Sequence, residues 1–105
     1  MFQNTLETTR QRLRVLGKRH TMEILAHISE SPKYITQIAE ETRIPYTTVQ
    51  HRVNELERSN LIKVINGTDE KTGKAVKLIT VSHFNLELDE DKVKQMVERA
   101  RSPLI

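Results

Sequence analysis

The chain has 105 residues, 36% of them hydrophobic and 30% charged, which suffices for one small core, excludes two, and lies far from the composition of disordered chains. Lys and Arg outnumber Asp and Glu by 17 to 14, a net charge of +3, compatible with gripping a polyanion through a local patch. There is no cysteine, which excludes disulfides and thiolate chemistry and makes the cytoplasm the expected location; the polar start MFQNTLETTRQRLR and the lack of any apolar run near ~18 residues leave no signal peptide or membrane partner expected.

Phe2, Leu6, Leu13 and Leu16 fall near helical spacing, and Gly17 follows as a stop, predicting a helix over 4–16. Lys18 to Ser31 reads as a second helix, with Met22, Ile24, Leu25 and Ile28 as its apolar face and Ser31-Pro32 as its end. After an extended Tyr34-Ile35-Thr36, the Thr36 hydroxyl is placed to cap a short helix through Ile38, Ala39 and Thr42 that must end before Pro45. Pro45 suits the first turn of the next helix, where its missing N–H has no partner, and Val49, Val53 and Leu56 follow at i, i+4 and i+7. Asn60, tolerant of left-handed backbone, ends that helix. The β-branched runs 61–65 and 75–81 flank nine residues of turn chemistry, 66–74, and predict a hairpin with a long polar tip. Asp89 opens a last helix with Glu90 and Asp91 in its first turn, Arg99 and Arg101 in its last, and a stripe of Val93, Met96, Val97 and Ala100.

The expected domain is single, residues 1–105, with an N-terminal helix in 1–17, a core and hairpin in 18–83 and a C-terminal helix in 84–105. Its fold class is mainly α with a small β-hairpin wing, α+β. Charge concentrates in two places: Arg10, Arg12, Arg14, Lys18 and Arg19 against Glu7, Glu23 and Glu30 in 1–31, and Lys63, Lys71, Lys74 and Lys77 against Asp69 and Glu70 in 61–83.

The order of helix, extended piece, helix, tight turn, helix and hairpin matches a helix-turn-helix followed by a wing. Over Thr21 to Val81 the residues themselves resemble winged helix-turn-helix transcription regulators, especially the arsenic-repressor-like and MarR-like groups. The phrase that carries the resemblance is Ile44-Pro45-Tyr46-Thr47-Thr48-Val49-Gln50-His51-Arg52-Val53-Asn54-Glu55-Leu56-Glu57-Arg58-Ser59-Asn60-Leu61-Ile62. Pro45 stands where the family has a Ser or Thr cap, and Asn60 where it has Gly; both keep the needed backbone geometry.

With Val49, Val53 and Leu56 inward, at ~100° per residue the opposite face of helix 45–59 carries Thr47, His51, Asn54 and Arg58, with Gln50 on its flank. Gln and Asn can pair two-pronged with adenine, Arg with guanine, and Thr can touch a thymine methyl, so this face suits reading base edges, as the resemblance also implies; a plain solvated face is the alternative. Tyr46 either packs at the core edge or reaches a phosphate. Arg52 either touches phosphate or pairs with Glu55 or Glu23. The resemblance implies that Lys71 and Lys74 at the wing tip lie along the phosphate backbone or enter the minor groove, against the bland reading of a solubilising edge.

The stripes Leu6, Leu13, Leu16 and Val93, Met96, Val97, Ala100 exceed the needs of so small a core and point to a homodimer, the alternative being that these helices fold back on their own domain. The four histidines lie in separate segments with no convergent base or nucleophile, so no enzyme is expected. His20 and His27 are ~10.5 Å apart along one helix, too far to share a zinc ion. No cofactor, metal or effector site is identifiable. The expected function is a sequence-specific, double-stranded DNA-binding regulator, a dimeric repressor; the alternatives are a protein-interaction module and a non-specific DNA-coating protein.

Overall fold

The computed structural model describes residues 5–101, and the side chains of residues 8–99. In chain order the elements are α1 (Thr5–Leu16), α2 (Thr21–Glu30), β1 (Lys33–Tyr34), α3 (Ile35–Thr42), α4 (Tyr46–Arg58), β2 (Ile62–Thr68), β3 (Ala75–Val81) and α5 (Glu90–Arg101). Phe2 lies outside the described residues, as do the side chains of Leu6 and Ala100.

Helix α2 begins three residues later than its composition suggests. The Lys18 N–H bonds to the Val15 carbonyl at 3.1 Å and the Thr21 N–H to the Lys18 carbonyl at 3.2 Å, while His20 takes left-handed backbone at φ 70°. That turn rotates the helix so that Thr21, Ile24, Leu25 and Ile28 face inward, a spacing of i, i+3, i+4 and i+7. Met22 is therefore not part of the apolar face: it is 63% exposed, and the fully buried Thr21 takes the inward place.

Thr36 does not cap α3. Lys33 and Tyr34 pair with Ile79 and Leu78 of β3, which holds the chain extended up to Tyr34, and the helix starts directly after it. The Gln37 side-chain oxygen accepts the Tyr34 N–H at 3.4 Å, doing from inside the first turn part of what a capping hydroxyl would do. Between α3 and α4, the Arg43 N–H closes on the Ala39 carbonyl at 2.9 Å and Arg43 sits at φ 63°. Pro45 stands one residue before α4 in extended backbone, its carbonyl taking the Val49 N–H at 3.0 Å.

The hairpin strands are longer and the tip shorter than the residue types 66–74 imply. Asn66, Gly67 and Thr68 pair with Lys77, Val76 and Ala75, because once the ladder is started each further residue needs only to continue it. The tip, residues 69–74, is organised by Asp69: its N–H and carbonyl bond Lys74 and Gly73 at 2.8 and 2.7 Å, and its carboxylate accepts the Lys71 N–H at 2.8 Å. Gly73 lies at φ 71°, a conformation most side chains resist. With β1 added, the sheet has three antiparallel strands in the order β1-β3-β2. Asp89 accepts the Lys92 N–H at 2.8 Å and so caps α5.

One core holds these pieces together. It joins Ile24, Leu25 and Ile28 of α2, Ile35 and Ile38 of α3, Val49, Val53 and Leu56 of α4, Leu61 just before β2, and Ile62 and Ile79 of the sheet, with Val15 reaching in from α1. Burying each of these aliphatic side chains is worth ~1.5–3 kcal/mol against leaving it exposed. Asn60, at φ 58°, makes the reversal from α4 into β2, and the Leu61 N–H bonds back to the Leu56 carbonyl at 3.0 Å.

Candidate nucleic-acid interface

Because Val49, Val53 and Leu56 are all within 1% of full burial, the rotation of α4 is settled by packing, and its polar back must face away from the core. Thr47, Gln50, His51 and Arg58 are exposed and Asn54 is half-buried. None of these five side chains is engaged in a hydrogen bond or ion pair among the described residues. Tyr46, the first residue of α4, is 46% exposed. The face therefore presents free donors and acceptors of the kinds that match base edges.

Arg52 is placed differently. Its Nε donates to the Arg19 carbonyl at 2.9 Å and its terminal nitrogen to Glu55 at 2.7 Å, and Lys18 pairs with the same carboxylate. The Lys18 ammonium beside Glu55, joined by Arg52, holds that carboxyl below the ordinary carboxylate range against the opposing effect of partial burial. Glu55 thus ties the turn before α2 to α4. The spacing of Arg52 and Glu55, i and i+3, is visible in the sequence; the approach of Lys18, 37 residues away, is not. Arg12 likewise points back into its own chain, with Nε bonded to the Ser59 carbonyl at 3.1 Å, where a cation suits the C-terminal end of α4.

Lys71 and Lys74 are exposed at the wing tip, and Lys63 and Lys77 on its strands. The register puts Lys63 opposite Thr80 and Lys77 opposite Asn66, so the two strand lysines point to opposite faces of the hairpin. Of the terminal stripes, Val93 and Val97 are exposed at 45% and 40% while Met96 is buried. Leu13 is half-buried, and Leu16 packs against the core of its own chain. Helix α5 lies against α1.

A separate polar cluster joins α2, β1 and α3. Glu41 accepts from Lys33 at 2.9 Å and from Gln37 at 3.1 Å, and lies 2.7 Å from Nε2 of His27. The Lys33 ammonium, with His27 and Gln37, lowers the Glu41 pKa from 4.5 to about 2. Among the described residues no three His, Asp or Glu side chains are grouped so as to hold a metal ion, and no helix is long and apolar enough to cross a membrane.

By sequence, no protein-family profile and no curated protein matches the chain. By structure it is similar to reduced HlyU from Vibrio cholerae, with a TM-score of 0.61 at 9% identity over 90% of this chain and 87% of that one. YodB from B. subtilis superposes with a TM-score of 0.59 at 18% identity, covering 88% of this chain and 82% of that one. A Mycobacterium bovis domain described as a homodimeric winged helix-turn-helix DNA-binding domain matches with a TM-score of 0.61 at 15% identity, over 96% and 87% of the two chains. With α2, α3 and α4 packed around one core and the β2–β3 hairpin following α4, the chain has the winged helix-turn-helix fold, extended by a helix at each end.

Proposed function

We propose that this protein is a sequence-specific regulator of transcription that reads the major groove of duplex DNA with α4 and acts as a homodimeric repressor in the cytoplasm. The observation that carries the reading is the outward face of α4, where Thr47, Gln50, His51, Asn54 and Arg58 have no partner within the chain among the described residues, on a helix whose rotation three buried aliphatic residues dictate. Asn54 and Gln50 are the adenine readers, Arg58 and His51 contact further base edges or the adjoining phosphates, and Tyr46 reaches the backbone at the helix entrance. Arg52 uses two of its five donors within the chain and keeps the rest for a phosphate. Lys71 and Lys74 carry the wing onto the backbone.

Exposed Val93 and Val97 on α5, with Leu13 on the adjoining α1, supply the apolar surface for a second copy. A two-fold dimer sets two copies of α4 about one helical turn of DNA apart and calls for a pseudo-palindromic site. The neighbour from Mycobacterium bovis, described as homodimeric, supports the same arrangement here.

The test is selection of bound fragments from a random duplex pool, followed by salt titration on the winners and on unrelated DNA. A specific reader prefers its site by ~10³-fold or more. Gln50→Ala or Asn54→Ala then lowers discrimination by ~1–3 kcal/mol for each base no longer read, while Lys74→Ala weakens all sequences alike. Steep salt dependence without preference makes the protein a coating factor, and absence of duplex binding makes it a protein-interaction module.

A further inference from the structure

The second half of α1 and the C-terminal end of α4 enclose a cleft of about 240 Å³, lined by Gln11, Arg14, Val15, Glu55, Arg58 and Ser59. Drug-sized ligands occupy ~300 Å³ or more, so this volume suits a small group. Its free side-chain charge is cationic, set against the carbonyl end of α4. Glu55, the one carboxylate of the lining, is already matched by Lys18 and Arg52, and the Ser59 carbonyl is taken by Arg12. Arg14 and Arg58 have neither an ion pair nor a hydrogen bond among the described residues. The cleft is thus lined by two guanidiniums without partners and one carboxylate that already has two cationic partners.

Two guanidiniums without partners line the cleft, one from each helix, and an anion between them gains two attractions. Each guanidinium is a planar fork that matches the oxygens of a phosphate two at a time, and the Gln11 amide adds a neutral donor on the α1 wall. The buried Val15 side chain also lines the cleft. We infer that this cleft is a phosphate-binding site, gripped by Arg14 from α1 and Arg58 from α4. Its occupant bridges the helix of the apolar stripe to the helix of the outward polar face. The phosphate is either one of the duplex backbone, in which case the inference rests on the DNA reading, or that of a free phosphorylated molecule.

Thermal unfolding in sodium phosphate against sodium chloride at matched ionic strength, for the wild type and for Arg14→Gln/Arg58→Gln, reads the site directly. The expected result is a saturable rise in Tm with phosphate that the double variant lacks and that Arg14→Lys/Arg58→Lys keeps in part. Both residues are exposed, so the Tm in chloride should be equal in all three proteins; should the double variant fail to fold, Arg14→Gln alone replaces it. In duplex titrations Arg14→Gln alone is compared with the wild type, since Arg58 also stands on the outward face of α4: a backbone source makes the plot of log K against log salt shallower by about 0.9 for the phosphate that Arg14 no longer neutralises, whereas a free source leaves that slope unchanged while the Arg-dependent Tm response persists. Either response supports the site. Identical phosphate responses and identical duplex slopes in variant and wild type would overturn it. A wild type that binds no duplex yet shows the Arg-dependent phosphate response sinks the DNA reading and leaves this site standing.

Discussion

Thr21 occupies a position that an aliphatic residue would ordinarily fill. It is fully buried, and its hydroxyl has no partner among the described residues, while Met22 beside it stands in solvent. A buried hydroxyl without a partner costs ~1–3 kcal/mol, so Thr21→Val, which keeps the branched shape, should stabilise the fold by about 1 kcal/mol in chemical denaturation; a loss of stability would mean that the hydroxyl is bonded. Glu41 offers a second test at this scale, with the sign set by its depressed pKa. The folded protein holds this carboxyl near 2, against 4.5 for the free group, so its stabilising effect is complete above about pH 4.5 and is lost as the pH falls toward 2. Glu41→Gln should lower Tm near neutral pH, and the gap to wild type should close on acidification through that window. A gap that stays constant with pH would show that the contacts of Glu41 are not charge-dependent.

The wing tip turns on one side chain. Asp69 binds the chain across the turn through its backbone and accepts the Lys71 N–H through its carboxylate, so a residue whose charge opposes a polyanion is kept for the shape it imposes. Asp69→Asn retains an acceptor oxygen and removes the charge: it should leave stability within ~0.5 kcal/mol and tighten duplex binding across all sequences, with the specific-to-unrelated ratio unchanged. Asp69→Ala should speed amide exchange at Lys71 and Gly73 without altering exchange in the core strands. Equal exchange in Asp69→Ala and wild type would place the order of the tip in its backbone alone.

At the scale of the molecule, the proposed dimer rests on α1 and α5. Helix α5 rests on α1, outside the main core, and turns Val93 and Val97 to solvent. Charges introduced there should leave the monomer fold intact and abolish self-association. Val93→Glu/Val97→Glu is expected to sediment as a monomer at concentrations where the wild type is a dimer, with duplex affinity reduced at least tenfold because the second recognition helix is lost. A wild type that sediments as a monomer would confine the role of these residues to packing within the chain.

The sequence by itself determined the elements whose signals are local. The 3.6-residue rhythm of Val49, Val53 and Leu56 settles both the existence of α4 and which side of it faces out; Asn60 marks its end and Asp89 the start of α5, because backbone preference and capping act over a few residues. Only the tertiary structure decided what depends on how elements cross. The entry turn of α2 exchanged Met22 for Thr21 at the core, pairing with β3 moved the start of α3 away from Thr36, and continued ladder pairing drew Asn66, Gly67 and Thr68 into β2. Lys18 reached Glu55, Arg12 reached Ser59, and Arg14 came to share a cleft with Arg58 for the same reason: long side chains find partners tens of residues away, and no periodicity in the chain encodes the angle at which two helices meet.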